Sequence, residues 1–120
     1  MEDIILKNIS ILDHGIISNA LNSYGALLKQ NYQMSGNRDQ LMHYSIAMEL
    51  YHTVIKKLNS PMVWKKSPLE NSKKNKKLGM RPHIALVLLD AVKRQIKITD
   101  NDYEEVRCWD IMEQLEKQLV

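Results

Sequence analysis

Apolar side chains return every three to four residues along most of this chain, and that period commits it to helices. After Asp13, a candidate cap, Ile16, Ile17, Ala20, Leu21, Tyr24, Leu27 and Leu28 follow the i, i+3, i+4, i+7 rule of one buried stripe, as far as Ser35-Gly36-Asn37. From about Asp39 a second stripe runs through Met42, Ile46, Leu50, Val54 and Leu58, with Ala47 and Ile55 beside it, and ends at Asn59-Ser60-Pro61. A third helix begins at Pro82, a residue favoured at the first helical position. It carries Leu86, Leu89, Val92 and Ile96 on one face, widened by Val87 and Leu88.

The fourth helix has a start signal of several parts. Thr99 reads as its cap with Asp102 three residues on, and Ile98 and Tyr103 are placed to form a hydrophobic staple. Its inward stripe is expected to use Tyr103, Val106, Trp109 or Asp110's neighbours Ile111 and Met112, then Leu115 and Leu119. About twenty residues separate the second and third helices, long for a bundle connection. Within them Ser67-Pro68-Leu69-Glu70 forms a capping-box pattern and Gly79 a stop, which predicts a short helix near 68 to 78. Four glycines and three prolines supply little turn chemistry for an all-β fold, so no sheet of consequence is expected. The predicted fold is all-α: a four-helix up-down bundle with a short extra helix or ordered loop between helices two and three. Residues 1–120 would form a single helical domain, with a basic connector at about 60–81.

At 120 residues such a domain buries roughly two thirds of the surface its unfolded chain exposes, enough to fold without disulfides or a structural metal. Cys108 is the only cysteine, so no internal bridge and no zinc finger is available, and a structural role in a reducing compartment is expected. The opening Met-Glu-Asp-Ile-Ile-Leu-Lys starts acidic and does not look like a secretory signal, and no window approaches 18 consecutive apolar residues. A cytoplasmic protein without a membrane partner is the expectation. The apolar run Ile4, Ile5, Leu6, Ile9, Ile11 and Leu12 precedes the first helix and offers packing across a homo-dimer.

Charge is unevenly distributed. Residues 61–82 hold seven basic side chains (Lys65, Lys66, Lys73, Lys74, Lys76, Lys77, Arg81) against Glu70 alone, a balance of +6, although the chain as a whole carries only +3. Residues 98–120 hold seven acids against Arg107 and Lys117, a balance of −5. With Trp64 as a stacking surface, the segment Trp64, Lys65, Lys66, Lys73, Lys74, Lys76, Lys77 and Arg81 is a candidate nucleic-acid contact, weakly specific because lysine acts as a point charge. The bland alternative is a solvated lysine face. A helix-turn-helix use of helices three and four is excluded, because Asp100, Asp102, Glu104 and Glu105 would press carboxylates against phosphate.

Catalytic vocabulary is sparse. Glu49 and His52 have the spacing of one half of a di-iron site, but the other helices supply no second Glu-x-x-His. They therefore read as a polar Glu49 and a half-buried His52. Asp100-Asn101-Asp102 lacks the glycine and the final glutamate of a calcium loop. Cys108 has acidic neighbours and no histidine in sequence reach, and neither a phosphate-cradling glycine loop nor a Gly-x-Ser-x-Gly elbow occurs. His14 and His83 read as surface or cap residues. No metal and no cofactor is expected.

The segment Arg38-Asp39-Gln40-Leu41-Met42-His43-Tyr44 resembles the Arg-x4-His signature of the HEPN ribonucleases, small all-helical proteins of about this size. The resemblance covers those seven residues. It implies that Arg38 positions a scissile phosphate and that His43 acts as acid or base. Three functional readings follow, in this order: a non-enzymatic helical regulator or adaptor that binds a protein partner, a nucleic-acid-associated protein using residues 64–81, and a HEPN-like ribonuclease using Arg38 and His43.

Overall fold

The computed structural model describes residues 2–58 and 76–119. It is mostly helical, with four helices and one two-stranded sheet among those residues: β1 (Ile4–Ile9), α1 (Ile11–Ser35), α2 (Arg38–Leu58), β2 (Lys76–Met80), α3 (Pro82–Ile98) and α4 (Asp102–Leu119). All-α holds broadly, and the small two-stranded sheet is an addition where no sheet of consequence was expected. Residues 68–75 of the expected connector helix lie outside the described residues, and its end, at 76–78, is strand rather than helix.

The strands pair antiparallel, Ile4 opposite Met80, Ile5 opposite Gly79, Leu6 opposite Leu78 and Ile9 opposite Lys76. Three residues of β1 span the same ladder as two of β2 between the last two pairs, which is a bulge, and Asn8 there takes a left-handed φ of 60° that asparagine tolerates better than most. The extra residue shifts the alternation by one, so Ile4, Leu6 and then Ile9, not Asn8, face the core. Of the apolar run read as a dimer-packing arm, Ile4, Leu6 and Ile9 are therefore interior, and Ile5 and Leu12 are exposed. Ile4, Leu6 and Ile9 sit in the same cluster as Ile17, Leu21, Val54, Leu78, Leu88, Val92, Ile111 and Leu115.

The outer edge of β1 is closed in an unusual way. Gln118 accepts from the Ile5 N–H at 2.9 Å and donates to its carbonyl at 2.8 Å, and Gln114 does the same for Lys7 at 2.9 and 3.1 Å. Four helical residues rise about 6 Å and two strand residues about 6.8 Å, so side-chain amides one turn apart on α4 match alternate backbone amides of β1. The pair replaces a third strand and removes an open edge.

Helix α1 starts earlier than expected. Its cap is Ser10, whose Oγ accepts from the Asp13 N–H at 3.1 Å while the Asp13 carboxylate accepts from the Ser10 N–H at 3.0 Å, a reciprocal capping box. The Asp13 carboxylate is also gripped by Arg107 of α4, Nε at 2.8 Å and Nη2 at 3.0 Å, which ties the start of α1 to the far end of the chain. His14, expected at the surface, is buried with Nδ1 2.8 Å from the Ser10 carbonyl, and burial lowers its pKa.

Gly36 ends α1 at φ 69° with its N–H on the Tyr32 carbonyl, and Asn37 caps α2 by accepting from the Asp39 N–H. α1 and α2 pack most extensively with each other. They approach closely at Gly25, where a Cβ would meet the Met48 methyl. The cap of α4 is Asn101, whose Oδ1 accepts from the Glu104 N–H at 3.0 Å, whereas Thr99 closes α3 instead. In α3 the expected Val87, Leu88, Leu89 and Val92 are buried, joined by Ala85 and Ala91, while Leu86 turns outward. In α4 the buried side chains are Cys108, Ile111 and Leu115, and Tyr103, Val106 and Trp109 are exposed.

Candidate functional site

With the core stripes placed, the surface apolar residues stand out by what they fail to reach. On α2 the spacing Arg38, Met42, Ser45, Glu49 and His52 forms an outward ridge, the face opposite Ala47, Leu50 and Val54. Beside it runs an open groove of about 870 Å³, bounded by Tyr32 of α1 and by Leu41, Met48, Glu49 and His52 of α2. Met42 and Ile46 also border a smaller hollow of about 280 Å³ between α2 and α3, lined by His43, His83, Leu86 and Asp90. Three large apolar side chains are substantially open here: Leu41 at 41%, Met42 at 53% and Leu86 at 52%.

Arg38 and His43 are separated by this arrangement. Five helical residues place them well around the cylinder from one another, and Arg38 borders the α2 groove while His43 borders the α2–α3 hollow. Glu49 and His52 share the groove, and His52 is exposed rather than half buried. No group of three or more histidine, cysteine or acidic side chains that could hold a metal ion occurs among the described residues.

Of the basic residues, Trp64, Lys65, Lys66, Lys73 and Lys74 lie outside the described residues. Lys76 pairs in β2 opposite Ile9, Lys77 is exposed on the same strand, and Arg81, also exposed, is the residue that caps α3. The first turn of α3 contains no acid and its cap makes no side-chain hydrogen bond, so Arg81 and the helix dipole reinforce one another as a positive end.

The opposite charge gathers on α4. Val106 and Trp109, one turn apart, are 63% and 52% exposed, and with Asp110, Met112, Glu113 and Glu116 they line an open hollow of about 450 Å³. Both cations of this helix are engaged: Arg107 with Asp13 and with Asp110 at 3.2 Å, and Lys117 with Glu113 at 3.0 Å. Cys108 lies beneath, fully buried, its thiol pKa pushed up to about 11 by desolvation first and by Glu104 and Asp13 second. A thiol so placed is a packing group, not a nucleophile. Sequence reasoning assigned Val106 and Trp109 to the core, and it missed the apolar side of α2 by assigning Met42 there.

Comparison of the chain with protein-family models, with curated proteins and with solved structures finds no match. No described helix is long and apolar enough to cross a membrane.

Proposed function

We propose that this chain is a non-enzymatic module that acts by binding a protein partner, as a regulator or adaptor. The observation that supports it is the clustering of open, large apolar side chains: Leu41, Met42 and Leu86 border two hollows that meet at Met42 and Ile46, and Val106 and Trp109 border a third. Scattered apolar residues on a surface carry no message, whereas grouped ones beside concavities are what partner helices and loops fill. Met42, an unbranched thioether, suits an adaptable contact. The scaffold under these surfaces reads as an up-and-down helical arrangement, supported by the brief Gly36-Asn37 and Thr99–Asn101 joints. A photoreactive side chain at position 42, 86 or 109, introduced in the cells that make the protein, should yield a discrete cross-linked protein from at least one site. Absence of product from all three would sink the proposal.

The positive end of α3, with exposed Lys77 and Arg81, favours nucleic-acid association as the second reading. Its mark is binding to generic DNA or RNA that falls steeply with salt and flattens on substitution of Lys73, Lys74, Lys76 and Lys77 together. Cleavage of RNA in the same assay, lost in His43→Ala, would instead favour the ribonuclease reading.

A further inference from the structure

We propose that the outer face of α4 receives a cationic amphipathic helix of a partner protein. This rests on the protein-binding reading above and says which face is used and by what chemistry. Asp102, Val106, Trp109, Glu113 and Glu116 follow one another at intervals of four and three residues, so they lie along a single line of the helix, the one facing away from buried Cys108 and Leu115. The line is apolar at its centre and acidic at both ends. From Asp102 to Glu116 it runs about 21 Å at 1.5 Å per residue, the length of four helical turns. A shallow hollow beside an exposed tryptophan, running along a helix, is the shape another helix fills by seating its side chains between those of the first.

Charge selects the occupant. Arg107 is turned inward to Asp13, so it cannot neutralise this line, and Lys93 and Lys117 meet Glu116 and Glu113 only as surface pairs that water and salt weaken. Asp102 and Glu105 add negative charge at the other end. A nucleic acid or an anionic lipid surface is repelled by such a line. A second copy of this chain, docking by the same face about a two-fold axis, would bring two identical acidic stripes together. What fits is a helix about four turns long with leucine-like side chains at its middle and Lys or Arg flanking them.

The test uses the full chain carrying Trp64→Tyr, so that Trp109 is the sole tryptophan, and a synthetic helix of leucine and lysine patterned to be amphipathic. The control peptide has the same composition with the apolar face scrambled. Saturable binding with a blue shift of Trp109 emission is expected for the patterned peptide only. Val106→Asp, on a side chain already 63% exposed and so tolerated by the fold, should weaken binding by about tenfold or more. Glu113→Lys with Glu116→Lys should weaken it by a similar factor and remove most of its salt dependence, and Met34→Asp, on an α1 side chain that is 81% exposed, should leave it unchanged. Equal binding of the scrambled peptide, or indifference to Val106→Asp, overturns the proposal. Trp109 emission already blue and shielded from acrylamide in the free protein overturns it too, since the face is then covered by the chain itself or by a second copy, which sedimentation separates. A cross-link from position 42 or 86 alongside failed peptide binding would refute this inference and leave the protein-binding reading standing, whereas silence at all three cross-linking positions refutes both.

Discussion

Removing the Asp13 carboxylate should cost this fold more than any other single polar substitution. Its side chain is 3% exposed and accepts from the Ser10 N–H, from Arg107 Nε and from Arg107 Nη2, so one group closes the α1 cap and ties α4 to it. Asp13→Ala leaves a guanidinium that is 24% exposed with only Asp110, at 3.2 Å, and leaves a buried N–H without an acceptor. Breaking a buried pair by removing one partner costs roughly 3 to 5 kcal/mol. The remaining exposure and the Asp110 contact place this case at the lower end, so about 3 kcal/mol is expected, the lost cap included. Unfolding entropy near 2.1 cal/mol/K per residue gives about 0.25 kcal/mol/K for a chain of this length, hence a fall in Tm of roughly 12 °C. The assay is a double-mutant cycle by urea unfolding, with Asp13→Ala, Arg107→Ala and the double variant. The double variant should be less destabilised than the sum of the singles by about 1.5 kcal/mol or more, because it no longer buries an unpaired charge. A loss under about 1 kcal/mol for Asp13→Ala, or additive singles, would refute the view that this pair is buried and coupled.

Three further outcomes follow from groups already placed. The amides of Ile5 and Lys7 are held by Gln118 and Gln114, so Gln114→Ala with Gln118→Ala should speed hydrogen exchange at those two positions while leaving Leu6, which faces β2, protected; equal exchange in both proteins would refute the edge closure. Burial lowers the His14 pKa from its ordinary 6.5, so the unfolded chain binds the extra proton first: stability is complete above about pH 6.5 and falls as pH drops through the folded value, and His14→Gln should remove that part of the pH slope in urea melts between pH 7 and 5. Cys108, its thiol raised to about 11 from 9.0, contributes stability present below pH 9 and lost as pH rises toward 11; at pH 8 it should resist a thiol-labelling reagent in the native protein and react promptly in guanidinium, and fast native labelling would contradict its burial.

What the sequence made legible, and what it hid, divides along the range of the interactions involved. The four helices are local objects: Pro82 at the first turn of α3 and Gly36 after α1 act on their own neighbours, and the three-to-four period needs no partner to be read. The sheet is non-local. β1 meets β2 some seventy residues on, each strand is as short as a helical turn or two, and Asn8 interrupts the alternation that would have marked the first of them. The Ser10 and Asp13 capping box was a visible signal that the choice of Asp13 as cap passed over. Thr99 and Asn101 are both capping types two residues apart, and only the Asn101 bond to the Glu104 N–H decides between them. His14 is buried with its ring on the Ser10 carbonyl and within electrostatic reach of Lys57 on α2, some forty residues on, which its own neighbours do not announce.

Helix α4 shows why the candidate surface was harder to read than the core. It carries two apolar stripes, Cys108, Ile111 and Leu115 on one side and Val106 and Trp109 on the other, and periodicity alone scores both. Side-chain size argues for burying the tryptophan. Position overrules size: Arg107 must point to Asp13, and Gln114 and Gln118 must reach β1, which fixes the rotation of α4 about its axis. With those three polar side chains committed, Cys108 and Ile111 turn into the core and Trp109 turns out. The exposed tryptophan is thus a consequence of satisfying the backbone edge and a buried carboxylate first. The same consequence leaves its apolar surface, rimmed by acids, as the part of α4 that the described core does not use, and that is why the proposed partner helix is placed there.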